Sequence, residues 1–332
     1  MMRWGLIGVV LLAGCGGARP AATGDEPVMF EDERAEQAAP QASAEVARGE
    51  GLLAQGEAEE AEAIFRAAIE ANAEDSRAHL DLGLALELQE RFEEAEAAYR
   101  AAIAVDADLV EALNNLGVLL RDQGRAEEAV RTLRDAVRAR PGFASAHLNL
   151  ALALEDAGAL DEAVTEYRRV IELAPREPTS RIQLGLLLLA QGEQDDALIA
   201  LRHAVEPAEG DRAMLAALGS GLRRAGDPQM AVRVLRDAIE AGEGDAPPAV
   251  HAELALALFA ADHREEAEQA LAELLRRTPS YATAHYLLAN MFASRRAFRD
   301  AAREYQAYLR AEPNGPQAEQ ARARLAHVRA QR

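Results

Sequence analysis

The stretch VEALNNLGVLLRDQGRAEEAVRTLRDAVRARPGF, residues 110–143, contains the pattern that decides the fold. Small residues and helix-ending residues stand in a fixed order within it: Gly117, Gly124, Ala129 and Pro141. Glycine can end a helix in a left-handed cap, and proline cannot donate to a helical hydrogen-bond ladder. The stretch therefore predicts two helices, the first ending near Gly124 and the second ending before Pro141.

The same pattern recurs along the chain with a period of about 34 residues. The alanines equivalent to Ala129 are evenly spaced, apart from a two-residue insertion before Ala267: Ala61, Ala95, Ala129, Ala163, Ala197, Ala231, Ala267 and Ala301. A leucine before a small residue keeps the same phase, and a large apolar residue follows each alanine by four positions. The small residues let two antiparallel helices approach closely, and the large residue fills the groove between neighbours.

This pattern resembles the tetratricopeptide repeat, a helix–turn–helix unit of about 34 residues. The resemblance implies an all-α fold, a right-handed superhelix (α-solenoid) of about eight repeats. We place the repeats at residues 42–75, 76–109, 110–143, 144–177, 178–211, 212–247, 248–281 and 282–315, so that together they span 42–315. The chain departs from the family pattern in the first helices, where histidine, leucine or arginine replaces the tryptophan.

Residues 316–332 are predicted to form a capping helix. Ala318, Ala321, Leu325 and Val328 recur at helical spacing, and the last repeat of an array exposes an apolar face that such a helix can cover. The side chains that we expect to be covered are Tyr305, Tyr308 and Leu309, and those that we expect to face water are Arg322, Arg324 and Arg329.

Residues 1–14 are interpreted as a lipoprotein signal peptide. An apolar run of ten residues follows Arg3, about half of what a membrane-spanning helix needs but typical of a signal peptide. The run ends in Leu12-Ala13-Gly14-Cys15, which resembles a bacterial lipobox, and Cys15 is the only cysteine. The resemblance implies a lipid anchor on Cys15. Because Gly16 is not aspartate, it also favours attachment to the outer membrane, facing the periplasm.

Residues 15–41 are predicted to be the lipidated cysteine and a disordered tether. The segment is rich in alanine, proline and acidic residues, and such a composition cannot bury enough apolar surface to order itself.

Composition excludes several classes of function. The chain has 56 acidic residues against 36 basic ones, a net charge of −20, whereas nucleic-acid binding requires a basic surface. All the basic residues are arginine, so the lysine of a P-loop and the lysine of a Schiff base are both missing. No Ser–His–Asp order, glycine-rich phosphate loop or cysteine nucleophile is present. We therefore predict no enzyme activity, catalytic residue, cofactor, nucleic acid or small-molecule substrate.

Four histidines invite a metal hypothesis, but they occupy equivalent places in different repeats: His79, His147, His251 and His285. Equivalent positions in neighbouring repeats are separated by a helix-packing distance of about 8–10 Å or more. The ligands of one zinc ion must all lie about 2 Å from it. These histidines are therefore predicted to be packing residues, and no metal site is expected.

Protein binding is the remaining candidate. The family resemblance implies that the first helices line a concave groove, whose predicted partner-binding residues are Asn114, Val118, Arg121, Asp122, Leu148, Leu152, Glu155, Asp156, Ile182, Leu186, Leu189, Arg223, Arg224, Phe259, Tyr286 and Asn290. This mixture suits an extended or helical peptide with apolar anchors and charged flanks. The alternative is that several of the leucines simply pack between first helices.

The leading hypothesis is a lipid-anchored scaffold or adaptor that binds protein partners in the bacterial envelope. The resemblance extends to type IV pilus assembly lipoproteins and to adaptor lipoproteins of cell-wall hydrolases, without choosing between a secretin and a hydrolase as partner. The alternative is a glycan-binding structural lipoprotein that links the outer membrane to the cell wall. Its binding surface would be the basic C-terminal end, because residues 282–332 contain nine arginines and four acidic residues.

Overall fold

The computed structural model describes residues 44–242 and 244–331. The predicted signal peptide, Cys15 and the predicted tether lie outside these residues. Within the described ranges the chain forms 17 α-helices and no β-strand. This result confirms the predicted all-α fold, an α-solenoid of stacked helix pairs.

The described part of the chain divides into two compact blocks, the first ending at Glu166 and the second beginning at Tyr167, so the division falls within α8 (Leu160–Leu173). The other helices of the first block are α1 (Ala44–Gln55), α2 (Ala58–Ala71), α3 (Ser76–Leu88), α4 (Phe92–Val105), α5 (Val110–Asp122), α6 (Ala126–Ala139) and α7 (Ala144–Asp156). Those of the second block are α9 (Pro178–Gln191), α10 (Gln194–Arg202), α11 (Arg212–Arg224), α12 (Pro228–Glu240), α13 (Pro248–Ala260), α14 (Arg264–Arg277), α15 (Ala282–Ser294), α16 (Phe298–Ala311) and α17 (Ala318–Ala330). None of the described helices is both long enough and apolar enough to cross a bilayer.

In five of the repeats the two helices touch through a glycine on the first and a large side chain on the second. A Cβ atom built on Gly83 would overlap the ring of Tyr99, and one built on Gly117 would overlap the side chain of Leu133. Both large side chains are completely buried. The small residue therefore sets the distance between the helices, as the sequence pattern predicted.

The turn between the two helices uses a left-handed residue in every repeat. Five repeats place a glycine there with φ between 77° and 91°: Gly56, Gly124, Gly158, Gly192 and Gly226. The other three use Glu90, Asp262 and Arg296, with φ of 60°, 65° and 63°. At Glu90 the turn is closed by the amide of Arg91, which donates to the carbonyl of Leu86 at 2.9 Å. The helix-ending geometry is thus retained where the glycine is absent.

Replacing Gly117 by valine should destabilise the first block by about 1–3 kcal/mol, the range for overpacked cores. The new side chain would compete with Leu133 for the same space. Urea unfolding followed by circular dichroism measures the change. The control is Gly51→Ala in α1, where a Cβ meets nothing within 4 Å and alanine is favoured over glycine by up to about 1 kcal/mol. Equal stability of Gly117→Val and the native chain would contradict this packing.

Candidate functional site

A row of polar side chains follows the first helices of the first block. Asp81 on α3, Asn115 on α5 and Asn149 on α7 are one repeat length apart, so each occupies the same place in its repeat. Asn114 lies beside Asn115 on α5. We call these four residues, together with Glu87 of α3, the polar row.

Hydrogen bonds connect most of the polar row across three helices. The Asn149 amide donates from Nδ2 to Asn114 Oδ1 at 2.8 Å, and Asn114 Nδ2 in turn donates to Asn115 Oδ1 at 3.3 Å. The Asn115 side chain is hydrogen-bonded to the Tyr99 hydroxyl, which donates to Glu87 Oε2 at 2.7 Å. The amides are half-buried. Each amide carries two donor hydrogens and an acceptor oxygen, so Asn114 and Asn149 retain capacity for a further partner.

Asp81 is the most deeply buried member of the polar row, with 1% of its surface exposed. Burial, which penalises the charged form, raises the pKa of its carboxyl from 3.8 to about 7. The Arg77 guanidinium opposes this shift from 3.3 Å, where its Nε donates to Asp81 Oδ2. Burial also raises the pKa of Glu87. The row therefore combines neutral amides with carboxyls that are costly to ionise.

The structure brings together most of the groove residues predicted in the first block. Leu148, Leu152 and Glu155 on α7 are half-buried, and Asp156 is exposed. Arg121 lies 3.1 Å from Asp122 and 4.0 Å from Asp156, joining the ends of α5 and α7.

Val118 does not offer the contact that was predicted for it, because only 5% of its surface is exposed. It packs inside the first block, as the alternative proposed for several of the leucines.

The second block contains an apolar part of the predicted groove. Leu186 and Leu189 on α9 are half-buried against the core, whereas Ile182 is buried with 5% exposure. Phe259 is half-buried on α13, and the guanidinium of Arg264 lies 5.8 Å from the centre of its ring. Leu186, Leu189 and Phe259 can therefore contact a partner, and Ile182 is a core residue.

The two adjacent arginines of α11 differ in their surroundings. Arg224 is exposed. Arg223 is half-buried and its Nη2 lies 3.3 Å from Glu253 Oε2 on α13. A charge reversal at Arg223 would place two carboxylates side by side, so Arg224 is the position at which groove charge can be changed without disturbing an ion pair.

Helix α17 of the same chain covers Tyr286 and Asn290 on α15. The Tyr286 hydroxyl donates to Gln320 Oε1 at 2.9 Å, and the ring, 9% exposed, lies 5.8 Å from the Arg324 guanidinium. Asn290 Oδ1 accepts from Tyr305 and from Arg324, each at 2.5 Å. The prediction placed both residues in the groove because it compared repeats one by one, whereas the helix after the last repeat covers them.

Two of the four equivalent histidines hold neighbouring helices together. His285 Nδ1 lies 2.7 Å from Glu304 Oε2 and its Nε2 lies 3.0 Å from the Pro279 carbonyl oxygen. Since both partners are acceptors, both ring nitrogens donate, and the bond to Glu304 raises the pKa of His285. His147 makes the same contacts with Glu166 at 2.6 Å and the Pro141 carbonyl at 3.0 Å. Within residues 44–242 and 244–331, no three His, Cys, Asp or Glu side chains converge as a metal site.

Sequence reasoning missed Asp81, Glu87, Asn115 and Asn149. The equal spacing of Asp81, Asn115 and Asn149 is visible in the same register as the repeated alanines. A polar residue repeated at one place is equally compatible with a solvated surface, so the spacing alone did not predict a connected row. In chemical terms, the first block presents amides that can bond to a peptide backbone beside half-buried leucines.

Comparison with known proteins identifies the repeat. A family model described as tetratricopeptide repeat matches residues 46–109, 114–178 and 252–319. Two further models with the same description match residues 214–247 and 178–203. No curated protein matches the sequence significantly.

Solved structures with the same fold include PilF of Pseudomonas aeruginosa, which is 24% identical with a TM-score of 0.52, over 58% of this chain and 88% of that one. The Cut9–Hcn1 hetero-tetramer of the APC/C is 17% identical with a TM-score of 0.52, over 86% of this chain and 55% of that one. Yeast Tom70 is 17% identical with a TM-score of 0.50, over 89% of this chain and 66% of that one. These similarities support the fold alone.

Proposed function

The chain belongs to the tetratricopeptide repeat family, and from that premise we propose that it is a lipid-anchored scaffold that binds an extended segment of an envelope protein. The family forms protein-interaction scaffolds. The observation that carries the proposal for this chain is the polar row, whose amides match the donors and acceptors of a peptide backbone.

The recognition chemistry follows from the surroundings of Asn114 and Asn149. An extended peptide exposes alternating N–H and C=O groups, and an amide side chain can accept from one and donate to the other. Leu148 and Leu152 lie on the same helix as Asn149 and supply apolar contacts. Asp122 and Asp156 are exposed at the ends of α5 and α7, so a basic residue in the peptide would be favoured there.

The groove is tested by the double variant Asn114→Ala with Asn149→Ala. Removing both partners of their mutual hydrogen bond avoids leaving one of the two unpaired. Losing two hydrogen bonds to the peptide, each worth about 0.5–1.5 kcal/mol, should lower the affinity for the partner about tenfold. Pull-down from solubilised envelopes identifies the partner, and titration calorimetry with it measures the loss.

The matched control is Thr165→Ala, a polar truncation on the exposed face of α8, which should leave partner affinity unchanged. Equal partner affinity of the double variant and the native chain would show that the polar row is not the binding surface.

The anchor rests on the lipobox, Leu12-Ala13-Gly14-Cys15. Cys15→Ser should abolish incorporation of labelled palmitate and leave the precursor uncleaved at that site, because the residue that would carry the lipid is gone. Mass spectrometry of the N-terminus checks cleavage. Palmitate labelling that persisted in Cys15→Ser would exclude this anchor.

A protein partner is preferred to a cell-wall glycan because several arginines of the basic end are already used within the chain. Arg303 pairs with Asp300 and Glu304, Arg295 pairs with Glu268, and Arg324 is bonded to Asn290. Sedimentation with purified sacculi separates the two hypotheses: the scaffold should stay in the supernatant, whereas a glycan-binding lipoprotein would sediment.

A further inference from the structure

Ion pairs connect the second helices of neighbouring repeats. In each pair an arginine in one second helix reaches a glutamate near the start of the next. The nitrogen–oxygen distances are 3.5 Å for Arg66–Glu94, 3.7 Å for Arg100–Glu128, 2.5 Å for Arg134–Glu162 and 3.0 Å for Arg236–Glu266. The equivalent residues on α8 and α10 are Arg168 and Asp196, both in the second block.

Arg168 and Asp196 leave this step open. They form no ion pair with each other or with any other residue that the structure describes. Aspartate is one methylene shorter than the glutamate of the closed steps, so its carboxylate reaches less far toward the preceding helix. A cavity of about 420 Å³ lies between α8, α9 and α10, and both residues line it. The open step therefore borders a cavity in which the guanidinium of Arg168 has no carboxylate partner.

The second block also contains a cavity beside a closed step, which gives a comparison. It measures about 340 Å³, and its lining includes Arg236, His263 and Glu266. Glu266 lies 3.0 Å from Arg236 and 3.2 Å from His263. Its carboxylate therefore already meets two of the basic groups around that cavity, which is the contact that Arg168 lacks.

The cavity beside the open step is positive. Arg168 and Arg181 line it against Asp196 as the acidic residue. Arg181 Nη1 donates to the Pro175 carbonyl oxygen at 2.5 Å, and this neutral acceptor leaves the positive charge in place. A guanidinium has five N–H donors, so both arginines retain donors for a carboxylate.

An apolar patch adjoins these two arginines. Ile199, with 57% of its surface exposed, is the most exposed large apolar side chain of the described chain, and it lines the same cavity together with half-buried Ile171. The equivalent position to Ile199 in the other repeats holds a small or polar residue: Ala63, Ala97, Arg131, Thr165, Arg233, Gln269 and Arg303. A single exposed apolar side chain is ordinary, but one that continues into an apolar cavity wall is typical of a contact surface.

Helix α10, which carries Asp196 and Ile199, is also the shortest second helix. It has nine residues, whereas the other second helices have 13 or 14. Pro207 explains the early end, because proline cannot donate to the helical ladder and its ring clashes with the carbonyl four residues earlier, at His203. His203 is the residue that caps α10. Three departures from the repeat therefore coincide here: the short helix, the open step and the exposed isoleucine.

We propose that Arg168, Arg181, Ile171 and Ile199 form a second docking surface, which binds an acidic segment of a partner protein through an apolar anchor. The apolar anchor packs on Ile199 and Ile171. Carboxylates on either side of it pair with the two guanidiniums, for which charge-assisted hydrogen bonds are the strong contacts. The positive charge of the surface selects an acidic occupant.

The second docking surface differs in charge from the surface around the polar row. Asp122 and Asp156 favour a basic residue there, whereas Arg168 and Arg181 favour an acidic one. A scaffold with both surfaces can hold two partners and distinguish them by charge. A short segment is favoured over an anionic bilayer because a chain with a net charge of −20 is repelled by an extended negative surface, whereas a segment meets only the local positive charge.

A short synthetic peptide tests the surface directly. It carries a central leucine–phenylalanine pair with aspartate and glutamate on both sides, and it is titrated into the full chain while the isoleucine methyl signals are recorded. The signals of Ile199 and Ile171 should shift together, while that of Ile239 on α12 stays in place. Unshifted Ile199 and Ile171 signals would overturn the proposal.

Two matched peptides separate the contribution of charge from that of the apolar anchor. One replaces the acidic residues by their amides, and the other replaces the leucine–phenylalanine pair by serines. Each should bind about tenfold more weakly than the acidic peptide, because one class of contact is lost. Equal affinity of the acidic peptide and either matched peptide would contradict the proposed chemistry.

Variants of the chain test the named residues. Arg168→Glu reverses an exposed charge, and Ile199→Thr introduces the residue that stands at the equivalent position 165. Each should lower the affinity for the acidic peptide about tenfold, measured from the Ile171 signal. The control Arg329→Glu makes the same charge change on an exposed part of α17 and should bind like the native chain. Native affinity in Arg168→Glu or in Ile199→Thr, or an equal loss in Arg329→Glu, would overturn the proposal.

Other occupants of the surface have their own signatures. Vesicles of phosphatidylglycerol should leave the Ile199 and Ile171 signals unchanged, and loss of these signals with vesicles would identify a bilayer as the occupant. Sedimentation should give the same mass for the native chain and Ile199→Thr, whereas dissociation of a dimer in the variant would identify a second copy. Either result would overturn a partner segment as the occupant.

The second docking surface does not depend on the polar row. The double variant Asn114→Ala with Asn149→Ala changes the first block alone and should keep native affinity for the acidic peptide. Loss of that affinity in the double variant would show that the peptide binds at the polar row and would overturn the second surface. Failure of this proposal and failure of the polar row as a binding surface are therefore distinguishable.

Discussion

Truncation after Pro313 should destabilise the second block by about 5 kcal/mol, the sum of several lost apolar burials, and make the protein self-associate. Removing α17 uncovers Tyr305 and Tyr308, which are 1% and 0% exposed, and deletes Leu325 and Val328, which belong to the same apolar cluster. Burying a side chain of this size contributes about 1.5–3 kcal/mol. Tyr308 also loses its hydrogen bonds with Gln317, whose backbone N–H donates to the Tyr308 hydroxyl at 3.0 Å.

Thermal melting and light scattering measure both effects. The control is Arg329→Gln, since Arg329 is exposed on α17 and its replacement should leave melting and mass unchanged. Arg324 is not a suitable control, because it reaches Asn290 and Tyr286 rather than facing water alone. A truncated chain that is monomeric and melts like the native one would show that residues 314–332 are dispensable.

The fold could be predicted from the sequence because its determinants are local and repeated. The glycine–large residue contact, as between Gly117 and Leu133, recurs at a constant spacing, and each instance requires the same separation between two helices. The left-handed turn was predicted where glycine supplies it. It was not predicted at Glu90, Asp262 and Arg296, because the neighbouring helices impose it there on residues that do not favour it.

The candidate site was predictable only in part because exposure depends on neighbours. Val118 and Ile182 occupy positions that face the groove in the family, but here adjacent side chains bury them. Tyr286 is covered by a helix that is not a repeat. Asn114 was predicted as a groove residue, whereas its hydrogen-bond partner Asn149 was not. The hydrogen bond between them joins helices of two different repeats, and the sequence of one repeat does not predict it. Lipidation of Cys15 at the lipobox remains a prediction from the sequence.

Replacing Asp81 by asparagine should stabilise the first block by about 2–4 kcal/mol above pH 7 and have little effect near pH 4. The pKa of Asp81 is about 7 in the folded chain against an ordinary value of 3.8. The folded state therefore holds this proton more tightly than the unfolded state, and stability falls as the pH rises from 3.8 to about 7. When the Asp81 carboxyl is fully ionised, this difference in pKa corresponds to a loss of about 4 kcal/mol in the free energy of unfolding.

The charged groups around Asp81 do not reverse the direction of this pH dependence. Burial is the largest contribution to the raised pKa of Asp81. Arg77 favours the ionised carboxyl, and Glu50 and Asp75 disfavour it. Asparagine occupies the equivalent positions 115 and 149, so the amide fits this place in the repeat. The loss of the contact with Arg77 offsets only part of the gain, because Arg77 is itself half exposed and regains water.

Urea unfolding of Asp81→Asn and of the native chain at several pH values measures the difference. The control is Asp135→Asn on α6, an exposed carboxylate with 52% of its side chain accessible, for which a change within about 0.5 kcal/mol is expected at every pH. A gain for Asp81→Asn that stays the same from pH 4 to pH 8 would show that the carboxyl is not protonated by burial. In that case the stabilisation would come from packing of the amide, and the polar row would carry a buried negative charge at neutral pH.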